Sequence, residues 1–204
     1  MKHVVILAHP SGHSFNAAAA KAYLRAAQSM GHSAVLRDLY AMGFDPRLGA
    51  QELPWAPDFA PGADAIAERA LIAEADVIVF VYPLWFNAPP AMLKGYVERV
   101  FGMGFGYEDA QPGVRPLLAG KRLVSLSSSG APAAWVDQTG ALSRLRVGFD
   151  EHLAAVCGLT VLEHLNFGAV TPGIRPDAVE AMLGEVDALA RRLFSPAASV
   201  AALT

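Results

Sequence analysis

The segment Ala8-His9-Pro10-Ser11-Gly12-His13-Ser14-Phe15-Asn16 stands between an apolar run and an alanine-rich stretch. Its residue types suit hydrogen bonding to an anion. Ser14 and Asn16 are helix-starting residues, and the first turn of a helix leaves backbone N–H groups unpaired. Those donors, together with the positive end of the helix dipole, form a phosphate site. His9 adds a donor or a positive charge, and His13 lies in the same turn. A simple N-cap behind a tight turn accounts for the same residues. No G-x-G-x-x-G follows the apolar run and no G-x-x-x-x-G-K-[ST] occurs in the chain, so neither the dinucleotide fingerprint nor a P-loop is present.

Two further segments carry unusual chemistry. Tyr82-Pro83-Leu84-Trp85-Phe86-Asn87-Ala88-Pro89 brings two large aromatics to the end of an apolar run. They form either a wall for a flat ligand or part of the core. Ser127-Ser128-Ser129-Gly130 offers hydroxyls and backbone N–H groups. Such a loop suits carbonyl oxygens or an electron-rich ring edge, and a generic polar turn has the same composition. Taken together, a phosphate grip, an aromatic wall and a donor loop on one edge describe a flavin mononucleotide moiety. The single cysteine, Cys157, has apolar neighbours and reads as a small core residue. His152 and His164 read as structural. No nucleophile triad stands out, and no metal site is expected.

These loops must be held by regular elements. Five apolar runs read as strands: His3 to His9, Ala34 to Leu39, Asp76 to Tyr82, Arg122 to Ser127 and Thr160 to Leu165. Most lack alternation, as strands covered on both faces do. Helical patterns lie between them. Asn16 to Met30 stops at Gly31. Ala63 to Ala75 carries Ile66, Ala70 and Leu71 on one side. Pro90 to Phe101 opens with proline. Leu142, Leu145, Phe149, Leu153 and Val156 continue the series, as do Val179 to Leu193 behind Pro176-Asp177. Strand–helix alternation predicts an α/β fold, with a five-stranded parallel sheet and helices on both faces. In such a sheet, ligands collect beyond the carboxyl ends of the strands, so the three loops share one edge. Residues 44–62 hold four prolines without periodicity and read as a long loop, with Trp55 and Phe59 suited to a subunit interface.

The 204 residues fit a single domain over 1–204. A composition 53% hydrophobic and 17% charged supports a packed core. With 16 basic and 19 acidic side chains there is no nucleic-acid footprint. The N-terminal apolar run is too short for a signal peptide, and no segment suits a membrane span. A cytoplasmic protein with no membrane insertion is the expectation.

Several motifs occur in order: "AHPSGHSFNAA", "DLYAMGFDP", "YPLWFNAPPAMLKGYVERVFGMGFGY" and "LSSSG". From residue 3 to about residue 165 the chain resembles the NAD(P)H:quinone oxidoreductase (DT-diaphorase-like) family of flavodoxin-like proteins. The resemblance implies a three-layer flavodoxin-like sandwich, a bound flavin (FAD, or FMN in some members) and a homodimer with its active sites at the interface. It places His9, Ser14, Phe15 and Asn16 at the flavin phosphates and ribityl chain. It places Pro83, Leu84, Trp85, Phe86 and Asn87 along the ring, and Ser127, Ser128, Ser129 and Gly130 at the ring's N1/O2 edge. Lys94-Gly95 and Phe101 to Tyr107 fit a structural or dimer role. Where animal quinone reductases carry a Tyr/His pair, this chain has Trp135 and Ala141, so Trp135 becomes a candidate lining of the acceptor pocket. The expected activity is ping-pong hydride transfer from NAD(P)H to a quinone or similar small aromatic acceptor, with Arg115 and Arg122 as candidate coenzyme-phosphate partners. The alternative is a flavin-bearing regulatory subunit of a membrane transport system.

Overall fold

The computed structural model describes residues 1–195; residues 196–204 of the expected single domain lie outside the described residues. A five-stranded parallel sheet forms from β1 (Lys2–Leu7), β2 (Ser33–Asp38), β3 (Val77–Pro83), β6 (Arg122–Ser128) and β7 (Thr160–Phe167). Its order is β2-β1-β3-β6-β7. The strands expected from the apolar runs are all present, with ends shifted by a residue or two. Between β3 and β6 lies an additional antiparallel hairpin, β4 (Tyr107–Asp109) and β5 (Val114–Pro116). The sequence reading missed it because strands this short carry no readable period.

Side chains alternate across the sheet, and each face has its own core. Val5, Leu7, Val79, Val81 and Leu126 pack under α1 (Phe15–Ser29) and α7 (Pro176–Phe194). Val4, Ile6, Ile78, Phe80 and Leu123 pack under α2 (Ala63–Glu74), α3 (Ala91–Val100) and the helical segment 141–157. Every residue of β3 is buried, as the missing alternation predicted. The buried side of α1 is mostly alanine, with Tyr23 as its one large residue, so the helix lies close to the sheet. Gly31, in the left-handed region at φ 80°, ends it. Among the described residues no helix is long and apolar enough to cross a membrane.

Two helical expectations need correction. The buried side of α2 is Ala65, Glu68 and Ile72, whereas Ile66 is exposed. Glu68 turns inward because Arg37 and the Tyr96 hydroxyl both bond its carboxylate. The pattern over Leu142 to Val156 is not one regular α-helix. It runs as α5 (Ala141–Leu145), a π-helical stretch Arg146–Glu151 and α6 (His152–Cys157), preceded by the short α4 (Ala133–Gln138). The wide turns bring both Phe149 and Asp150 inside.

The long loop 44–62 is clamped rather than loose. Buried Arg99, on α3, donates to the Glu52 carboxylate at 2.9 Å and to Asp64 at 2.7 Å. Glu52 also accepts the Gly49 and Gly62 amides, so an interior point of the loop and its far end meet on one carboxylate. Where the loop crosses α3 only glycine fits: a Cβ at Gly95 would lie 2.0 Å from the Pro46 carbonyl oxygen. Cys157 is buried, and burial pushes its thiol up to about 11, in line with a core role.

Removing Arg99 leaves the buried Glu52 carboxylate unpaired. Arg99→Met therefore lowers unfolding stability by about 3–5 kcal/mol, measurable by urea denaturation. Far from the loops, His3 is buried at the amino end of the sheet, bonded to Tyr23 and His32 at 3.0 Å each. Desolvation, then the neighbouring His32, lowers its pKa to about 4. Between its ordinary value and that figure, the unfolded chain binds a proton that the folded chain refuses. The stability is therefore complete above about pH 6.5 and falls as the pH drops toward 4, by about 2 kcal/mol at pH 5. A pH series of urea midpoints checks this, and His3→Gln flattens it.

Candidate functional site

β1 lies between β2 and β3, so the strand order reverses there and a crevice opens beyond the carboxyl ends. The loops after β1, β3 and β6 emerge side by side at that edge. They are tied together at Ser128. Its hydroxyl accepts the Asn16 side-chain N–H at 2.9 Å, and its carbonyl accepts the Leu84 amide at 2.6 Å. The resulting cleft, of about 170 Å³, is lined by His9, Ser14, Phe15, Asn16, Trp85 and Gly130 among others. Ten of the thirteen residues predicted to hold the cofactor line it, and Phe86, Asn87 and Ser127 do not.

The first loop has the donors that an anion requires. Ser14 is the N-cap of α1, its hydroxyl accepting the Ala17 amide at 3.1 Å. The Phe15 and Asn16 amides have no partner among the described residues. Asn16 does not cap the helix; it is buried and reaches across to Ser128. His9 Nδ1 accepts the Ser11 amide at 3.0 Å, which leaves the proton of the neutral ring on Nε2 as a free donor. Burial lowers the His9 pKa from its ordinary value, against the Ser11 amide bond and the Asp38 charge. Among the described residues no acidic side chain lines the cleft. Neutral donors at a helix start, without carboxylates, fit a phosphate group.

The second loop closes on itself. Trp85 and Ala88 exchange two backbone bonds of 3.1 Å, and the residues between them, Phe86 and Asn87, both have φ above 50°. Asparagine tolerates this left-handed region, whereas phenylalanine is strained in it. The Phe86 side chain is fully exposed, which excludes the core reading of this loop. Trp85 forms one wall of the cleft beside His9, their ring centroids 6.1 Å apart. Pro83 and Leu84 also line the cleft, while Asn87 faces an adjoining hollow with Lys94 and Arg144.

In the third loop, Ser128, Ser129 and Gly130 reach the cleft. The Ser129 amide is already bonded to the Phe167 carbonyl, so the amides without partners among the described residues are those of Gly130 and Ala131. Ser127 is turned to the opposite face of the sheet, where its hydroxyl bonds His164 and Asn166. Trp135, on α4, is half-exposed and does not line the cleft. Val170 lines it from the connection after β7; nothing in its sequence context marks it. Neither arginine suggested as a coenzyme partner is near. Arg122 stacks on Phe194 at the amino end of the sheet, and Arg115 pairs with Glu108 in the β4–β5 hairpin.

Residues 1–190 match the family described as flavodoxin-like fold. An NAD(P)H oxidoreductase of Haemophilus influenzae is 33% identical over 171 residues, 83% of this chain and 85% of that one. NAD(P)H dehydrogenase [quinone] 1 of Rattus norvegicus is 28% identical over 87% of this chain and 73% of its own. The solved NAD(P)H:quinone oxidoreductase of Methanothermobacter marburgensis superposes with a TM-score of 0.83 at 25% identity, covering 95% of this chain and 99% of that one.

The strain at Phe86 has a measurable consequence. Phe86→Asn places a residue that accepts the left-handed region in the same turn and removes an exposed ring. Unfolding stability rises by about 1 kcal/mol in urea denaturation. An unchanged or lower stability means that the turn is not strained.

Proposed function

The chain belongs to this flavodoxin-like family of NAD(P)H oxidoreductases and quinone reductases, and we propose that it is a flavin-dependent enzyme passing a hydride from NAD(P)H to a quinone or similar small aromatic acceptor. The observation that carries this reading is the cleft itself: unpaired neutral donors at a helix start, an exposed aromatic turn and a donor loop around one opening. Phe15 and Asn16 amides, Ser14 and His9 Nε2–H would hold the phosphate. The Trp85–Asn87 turn would flank the ring system. A flavin, when bound, supplies the hydride-exchanging centre that no side chain here provides.

The chain's own part is position and charge. The Gly130 and Ala131 amides, unpartnered and held in a fixed loop, favour a negatively charged ring edge over a neutral one. The half-exposed Trp85 and the exposed Phe86 leave one side of the opening accessible, so donor and acceptor occupy the same place in turn, the ping-pong order. The donors in this cleft suit the mononucleotide portion common to FAD and FMN. The exposed Trp55, and an apolar groove of about 530 Å³ between the long loop and the segment 148–157, favour a homodimer in which a second copy covers that groove.

Purified protein carries FAD or FMN, identified by mass after release, and absorbs at about 450 nm. It consumes NAD(P)H when a quinone is added. Ser14→Ala with Asn16→Ala weakens flavin retention by roughly tenfold or more, since it removes the cap that presents the helix-start amides and the Asn16–Ser128 tie between the loops, each worth about 1 kcal/mol. A colourless protein that takes up neither flavin overturns the reading. Bound flavin without NAD(P)H consumption, whatever the acceptor, returns the chain to the regulatory-subunit alternative. Sedimentation analysis checks the dimer.

A further inference from the structure

Behind the third loop lies a buried polar chain that the proposed chemistry does not use. Asp150 Oδ1 accepts the Ser125 hydroxyl at 2.7 Å. Asp150 Oδ2 lies 2.5 Å from His164 Nδ1, and His164 Nε2 lies 2.8 Å from the Ser127 hydroxyl. Ser127 also donates to Asn166 at 2.9 Å. The Asp150 and His164 side chains have no solvent exposure, and Ser127 is 1% exposed. The succession Asp–His–Ser has the bonding order of a hydrolase triad. A substrate cannot reach it, and the serine proton is already engaged with Asn166, so Ser127 is not a nucleophile.

The position of the chain suggests its role. The β6–β7 ladder slips between Leu123 and Val124, where Leu162 is left out of the pairing. Beyond that bulge the two strands need a second determinant of register, because a one-residue slip would exchange their faces. The partners beyond it include Ser125 with His164 and Ser127 with Asn166, and the buried chain links these four residues. The register then fixes two backbone bonds of the loop: the Ser129 amide to the Phe167 carbonyl, and the Val170 amide to the Ser129 carbonyl. Asp150 reaches the sheet only because the π-helical stretch turns it inward beside Phe149. Widened turns of this kind are frequent at functional sites.

We propose that Asp150 and His164 are positioning residues: through Ser127 they hold the last residues of β6 so that the Gly130 and Ala131 amides stand ready at the edge of the cleft. The role in flavin binding rests on the function proposed above; the role in ordering the loop does not. Three variants test it: Asp150→Asn, His164→Gln and Ser127→Ala, the last removing only the end of the chain. In cofactor-free protein, amide hydrogen exchange at Ser129 and Val170 should speed up by roughly tenfold or more, while β1 and β3 amides keep their rates. With flavin, the dissociation constant should rise by a similar factor and the visible spectrum of the bound flavin should shift.

Unchanged exchange at Ser129 in a folded Ser127→Ala protein overturns the proposal. So does faster exchange throughout the sheet, which marks a purely structural loss. Wild-type protein that binds no flavin, with the localised exchange change still seen in the variants, overturns the proposed function and leaves the loop-ordering role standing.

Discussion

Ser128 is the point on which the site depends. Parallel strands in a doubly wound sheet end at one edge, but adjacency alone does not fix three irregular loops relative to one another. A residue at the end of β6, the strand beside central β3, does so, with its hydroxyl serving the first loop and its carbonyl the second. Both contacts are shielded from solvent, where a hydrogen bond is worth more and an unpaired group costs more. The cleft is therefore a by-product of satisfying buried polar groups. Its donors remain free because no protein acceptor stands before them.

A rigid frame also explains how the Trp85–Asn87 turn survives. A phenylalanine in the left-handed region persists only where its surroundings over-determine the backbone. Here the cross-turn bonds between Trp85 and Ala88 close it. β3, buried throughout, fixes one end, and α3 fixes the other, with Arg99 anchoring that helix through Glu52 and Asp64. Gly95 lets the long loop lie against α3 without displacing it. Strain placed in an exposed ring, on a frame this firm, presents that ring outward instead of letting it collapse onto the core.

Much of this was legible in the chain. The unalternating apolar runs gave the sheet, because strands covered on both faces have no polar side to display. Helix-start chemistry marked Ser14, and the loop after β3 stood out by its aromatics. What was not legible depends on long-range pairing. Asn16 reads as a capping residue until Ser128, 112 positions away, is seen to be its partner. Glu68 reads as a solvent-facing residue until Arg37 and Tyr96 are seen around it. Ser127 belongs by sequence with Ser128 and Ser129, yet alternation along a strand turns it to the other face. Asp150 has the spacing of a surface position on an α-helix, and only the π-helical turns make it interior.

The two faces of β6 divide the work within adjacent residues. Ser128 looks toward α1 and joins the loops that form the cleft, while Ser127 looks toward the segment 141–157 and is bonded to His164 and Asn166. A serine suits both positions because its hydroxyl can donate and accept at once. An apolar residue at 127 would leave the inward-turned His164 nitrogen without its partner, and one at 128 would leave the buried Asn16 amide without its own. The run of hydroxyls that reads as a single polar turn is thus two unlike sites held back to back, and the pleat of the strand keeps them apart.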